Sequence, residues 1–77
     1  MDPLVSFGRV LRQLRKDAGL TQEQLALTAG IERNFVSLIE RGINQPALKV
    51  IFKLADALGT TPSKMLQEVE RQLNAPN

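Results

Sequence analysis

Cysteine and histidine are both absent from this 77-residue chain. Without cysteine there is no disulfide and no thiolate metal site. Without histidine the commonest metal ligand and the usual general base are missing as well. Long apolar runs are lacking too: no stretch approaches the ~20 residues needed to span a bilayer. The N-terminal MDPLVSFGRV has no basic region followed by an apolar stretch, so it does not read as a secretion signal. Strand signals are missing, with no sustained alternation and no Asn-Gly or Asp-Gly hairpin turn, and there is no repeat or low-complexity stretch.

These absences remove whole function classes. Ser6, Ser37 and Ser63 have no histidine to activate them, and the lysines form no paired nucleophile arrangement. Carboxylates such as Asp17 and Glu23 are scattered, without the spacing of a metal-binding loop. The expectation is a protein that is not an enzyme, holds no metal or cofactor, engages no membrane and resides in the cytoplasm.

What is present is ordinary for a folded domain: 43% hydrophobic and 23% charged residues. Seventy-seven residues make one small domain whose core is only marginally sufficient. With disulfides and thiolate sites excluded, helix packing and oligomerisation must supply the stability. The net charge of +2 and pI of about 9.5 are compatible with a nucleic-acid partner without demanding one, so the positions of the charges must decide.

Periodicity predicts five helices, at about 3–18, 22–29, 32–41, 47–58 and 62–73, hence an all-α class over residues 1–77. In the first, Phe7, Leu11, Leu14 and Ala18 share a stripe widened by Val10, and Gly19 fits the position past a helix end. The second opens with Thr21-Gln-Glu-Gln24, the pattern of a capping box, and buries Leu25, Ala26 and Ala29. The fourth is apolar nearly all round, leaving only Lys49, Lys53 and Asp56 as a polar stripe. Such a helix is expected to be covered on most sides, which a partner subunit could do. The fifth starts with Thr61 as cap and Pro62 in the first turn. Its stripe of Met65, Leu66, Val69 and Leu73 runs past the point where a small core is full, and residues 74–77 read as a frayed tail.

The third helix is the informative one. At ~100° per residue, Val36 and Ile39 lie together, with Phe35 beside them and Ile31 just before the helix. Asn34, Ser37 and Arg41 fall opposite, Arg33 and Leu38 on the flanks, and Glu40 near the border. Two short helices joined by a tight turn around Ala29-Gly30-Ile31, with a polar outer face on the second, fit a helix-turn-helix. The DNA major groove admits such a helix, and arginine and asparagine match the edges of guanine and adenine. Ser37 can serve a base or a phosphate.

The run GLTQEQLALTAGIERNFVSLIERGINQPAL resembles the signature of the Xre-type helix-turn-helix proteins, the group typified by Cro and the lambda-type phage repressors. The resemblance extends from about Phe7 to Leu66. It implies a five-helix domain that binds double-stranded operator DNA, usually as a two-fold homodimer; in length and extended fifth helix the chain looks most like restriction–modification controller proteins. By position, the resemblance places Arg33, Asn34, Ser37 and Leu38 at base-contacting sites. It places Gln22 at a phosphate while bracing the recognition helix, and Arg41, Asn44 and Gln45 at the DNA backbone, with Lys49 a further phosphate candidate. It implies a structural ion pair between Arg15 and Glu40. The expected dimer surface comprises Ile51, Phe52, Met65, Leu66, Val69 and Leu73, and no small-molecule effector is implied.

Three positions depart from the family pattern. Glu32 stands where a serine-like cap is usual, and its carboxylate suits a helix N-terminus. Leu38 replaces a frequent polar reader and can pack on a thymine methyl or complete the apolar surface. Ala47 stands where serine commonly caps the fourth helix. A protein-interaction module, such as an antitoxin with secondary DNA autoregulation, is the alternative, because exposed apolar surface on helices four and five would serve either role.

Overall fold

Most of the helices begin at residues that can satisfy their first free N–H groups. In the computed structural model, which describes residues 1–75, the Asp2 carboxylate accepts from the Leu4 N–H at 2.8 Å. Pro3 then opens α1 (Pro3–Asp17). The Thr21 hydroxyl accepts from the Gln24 N–H at 3.1 Å and the Gln24 side chain accepts from the Thr21 N–H at 2.9 Å. This reciprocal box starts α2 (Gln22–Ala29). Thr61 accepts from the Lys64 N–H at 3.2 Å ahead of α5 (Pro62–Asn74), with Pro62 in the first turn.

The other two starts are bare. Glu32 precedes α3 (Arg33–Glu40) in an extended conformation, but its side chain makes no capping hydrogen bond. Ala47 precedes α4 (Leu48–Ala57) and has no side chain able to cap. Ala18, Arg41 and Leu58, which periodicity alone places inside helices, are C-terminal caps.

Among the described residues the structure is five helices without a strand, and no helix is long and apolar enough to cross a membrane. The main packing contacts form a closed ring: α1 against α3 and α5, α5 against α4, α4 against α2, and α2 against α3. Every helix feeds one core, with Phe7, Val10 and Leu11 from α1, Leu25, Ala26 and Ala29 from α2, Val36 and Ile39 from α3, Leu54 and Ala55 from α4, and Met65 and Val69 from α5.

One expectation fails here. Met65 and Val69 were assigned to a subunit interface, yet they are 1% and 5% exposed within the single chain. The reason is that α5 lies along α1 and spends that face on the core; the Ser6 hydroxyl, itself buried, donates to Gln72 Oε1 at 2.9 Å across the same seam. The single chain does not cover α4 on most sides, which leaves apolar surface that a partner subunit could cover. Leu54 and Ala55 are buried, but Leu48 and Phe52 are 68% and 56% exposed. Asn74 is the last residue of α5; of the tail at 74–77, residues 76 and 77 lie outside the described residues.

One polar tie locks α1 to α3. Arg15 Nε donates to Glu40 Oε2 at 2.6 Å and a second guanidinium nitrogen donates to Glu40 Oε1 at 3.0 Å. Arg15 also donates to the Leu20 carbonyl at 2.8 Å, fastening the α1–α2 connection. The two side chains are 11% and 3% exposed, so both charges are largely removed from water. The hydrogen bonds to Glu40 raise the Arg15 pKa above its ordinary value despite burial, which keeps the guanidinium charged at any physiological pH. Removing one member strands the other. Arg15→Ala should therefore destabilise the fold by about 3–5 kcal/mol in urea unfolding, and Glu40→Gln, which leaves the largely buried Arg15 guanidinium without its counter-charge, should cost a comparable amount.

Candidate nucleic-acid interface

The tight turn between α2 and α3 rests on Gly30, whose φ of 74° is a left-handed conformation open to glycine at little cost. The Ile31 N–H reaches back to the Ala26 carbonyl at 3.0 Å, so α3 leaves α2 at a fixed angle. At eight residues α3 is too short to be stable alone; its inner face holds it. Val36 and Ile39 are fully buried, and Ile31 and Phe35 are half-buried against the core.

The outer face is different in kind. Arg33 and Asn34 are exposed, Ser37 and Leu38 are half-buried, and Arg41 is exposed just beyond the last turn. Among the described residues, the side chains of Arg33, Asn34, Ser37 and Arg41 make no hydrogen bond, and neither arginine pairs with a carboxylate. These are donors and acceptors held on a rigid surface and turned to water. Leu38 contributes through its backbone as well: its carbonyl accepts from the N–H groups of Ile43 at 3.0 Å and Asn44 at 3.2 Å. The loop carrying Asn44 is thereby folded back onto α3.

Gln22, the first residue of α2, joins the ion pair. Its Nε2 donates to Glu40 Oε1 at 3.1 Å. Glu40 thus collects α1, α2 and α3 at one carboxylate, while the remaining polar atoms of the Gln22 amide stay uncommitted. Gln45 is exposed in the loop that follows. Lys49, in the first turn of α4, is exposed and free of any ion pair among the described residues, and no hydrogen bond ties it to the α3 face.

Of the expected dimer residues, Ile51 and Leu66 line one open groove of about 360 Å³ together with Leu4, Phe7 and Pro46. Phe52 is exposed beside them on α4, and Leu73 is half-buried on α5. Leu48 and Ile43, 68% and 60% exposed, were missed in the sequence. Leu48 was hidden in a helix apolar all round. Ile43 carried a readable signal, an isoleucine outside any stripe, directly after a helix-ending glycine.

Comparison with known proteins agrees with this geometry. The helix-turn-helix family model HTH_3 matches residues 11–74. Control protein C.BamHI of Bacillus amyloliquefaciens is 38% identical over 61 residues, covering 78% of this chain and 75% of that protein. Control protein C.MunI of a Mycoplasma species is 32% identical over 72 residues, covering 92% and 97%. The crystal structure of the restriction–modification controller protein C.AhdI from Aeromonas hydrophila superposes with a TM-score of 0.79 at 45% identity, covering 80% of this chain and 94% of that one. The two short helices, their glycine turn and the exposed polar face of the second thus have a family to match: the chain belongs to the Xre-type helix-turn-helix transcriptional regulators.

Proposed function

We propose that this DNA-binding regulator acts as a homodimer on a pseudo-palindromic operator, with α3 of each subunit in the major groove. The observation that carries the reading is the outer face of α3, where the side chains of Arg33, Asn34, Ser37 and Arg41 have no partner among the described residues while the inner face is engaged with the core. Buried polar groups pair within a fold; polar groups fixed on a surface without partners are available to a ligand. DNA supplies the complementary set, base-edge acceptors and donors flanked by phosphates.

Roles follow from placement. Arg33, Asn34 and Ser37 lie along the groove-facing side and read base edges; Leu38 packs against a thymine methyl. Arg41, Asn44 and Gln45 follow one another around the end of α3 and hold the backbone. Gln22 reaches a phosphate from the start of α2 with the amide atoms it does not spend on Glu40, and Lys49 adds a cation from α4. No effector is needed for binding, and the protein works in the cytoplasm.

Dimerisation is placed on the apolar surface left over by the fold: Leu48, Ile51 and Phe52 of α4 with Leu66 and Leu73 of α5. Phe52 and Leu66 are 56% and 43% exposed, and a second copy would remove them from water. Two-fold symmetry then sets the half-sites about 34 Å apart, one turn of the double helix, and linking two weak half-site contacts raises affinity well beyond either alone.

Selection of bound duplexes from a random pool tests the reading as a whole: recovery of a symmetric site supports it, and enrichment of no sequence overturns it. Arg33→Ala should cost about 1–3 kcal/mol on the selected site and relax preference at one position; equal loss on scrambled DNA would make Arg33 a phosphate holder. Arg41→Ala should weaken binding to all sequences alike and lower the salt slope by about one, measured by titration at several salt concentrations. Phe52→Glu should give a folded monomer in sedimentation equilibrium, because Phe52 lies outside the core; a persisting dimer would place the interface elsewhere.

A further inference from the structure

Gly8 sits in the middle of α1, far from either end of a 15-residue helix. Glycine at such a position weakens a helix relative to alanine, and its backbone is ordinary helix, so no turn or cap requires it. The requirement comes from across the packing interface. A Cβ at Gly8 would lie 2.4 Å from the Ile39 carbonyl oxygen and 2.7 Å from that of Glu40. Both are backbone atoms at the C-terminal end of α3, so no rotamer change can relieve the clash.

The neighbouring contacts show the same closeness. Gly42, with φ of 72°, lies so near Val5 that a Cβ there would come within 3.1 Å of the valine Cγ2 and 3.2 Å of its Cα. Farther along α1, Arg15 clamps Glu40. The end of α3 is therefore seated on α1 at three places in succession, by Val5 under Gly42, Gly8 under the Ile39 and Glu40 carbonyls, and Arg15 on Glu40.

From this we infer that Gly8 is a positioning residue for DNA reading: the absence of its side chain sets how closely the C-terminal end of α3 is drawn against α1, and so the angle at which the helix lies in the groove. The inference rests on the reading of α3 as the recognition helix. Restoring an ordinary carbon–oxygen spacing of roughly 3.3 Å against an added methyl moves the α3 terminus by ~1 Å. The start of α3 is held separately by the Gly30 turn, so the helix pivots rather than translating. Base-edge hydrogen bonds are directional and need a site held within about 0.5 Å. Long cationic side chains on phosphates follow such a shift by changing rotamer. The pivot therefore degrades sequence discrimination more than overall grip.

The experiment compares wild type and Gly8→Ala on two duplexes, the site that wild type selects from a random pool and a scrambled sequence of equal length. The ratio of the two affinities is the readout, because any partial unfolding of the variant reduces both affinities by the same factor and cancels. The expected result is a fall in that ratio of at least about tenfold, the scale of one lost base contact, with the salt slope on scrambled DNA unchanged. An unchanged ratio overturns the inference, and so does loss of binding to both duplexes, which would give Gly8 a role in the fold alone. Failure of wild type to select any site removes the DNA reading itself, and that result is in hand before the variant is measured.

Discussion

Everything at the outer face depends on the Glu40 carboxylate. It is nearly out of water, a position that a charge occupies only when it is paired and hydrogen-bonded. Arg15 supplies the charge and two of the hydrogen bonds, and Gln22 supplies a third. Three consecutive helices are fastened at two oxygen atoms. Because Glu40 is the last residue of α3, the fastening fixes the end of the helix that the turn at Gly30 leaves free.

The need for such fastening follows from the helix itself. Eight residues cannot hold a helix by propensity, and α3 has no side-chain cap at its start. Its geometry is therefore supplied from outside, by Val36 and Ile39 in the core, by the close backbone approach at Gly8, and by Arg15 and Gln22. That arrangement frees the opposite face of any structural duty. Arg33, Asn34 and Ser37 make no side-chain hydrogen bond among the described residues, so the scaffold does not depend on which polar groups stand at these positions.

Legibility in the sequence followed the range of the interaction. The Thr21–Gln24 box, the Thr61-Pro62 start and the inner stripe of α3 are local patterns, and the structure contains each of them. The five-helix, all-α class followed from the same periodicity. Met65 and Val69 could not be sorted, because an apolar stripe looks the same whether α1 or a second subunit covers it. The excess of apolar residues on α4 signalled a surface to be buried, but not that Leu48 and Phe52 were the exposed ones. Gly8 was invisible for a related reason: nothing in SFGRV says that two carbonyl groups from thirty residues away lie against it. Glu32, whose carboxylate suited a helix start, leaves that start uncapped, since composition does not fix where a side chain turns.

The ring of helices closes between the first and the last. Ser6 and Gln72, 66 positions apart, meet across the α1–α5 seam, and the opposite side of α1 carries the seat of α3. During synthesis the proposed reading surface thus waits for α5: α1, α2 and α3 emerge before the helix that backs α1. A chain cut short within α5 would keep every residue proposed to read DNA and lose the support behind the helix that aims them.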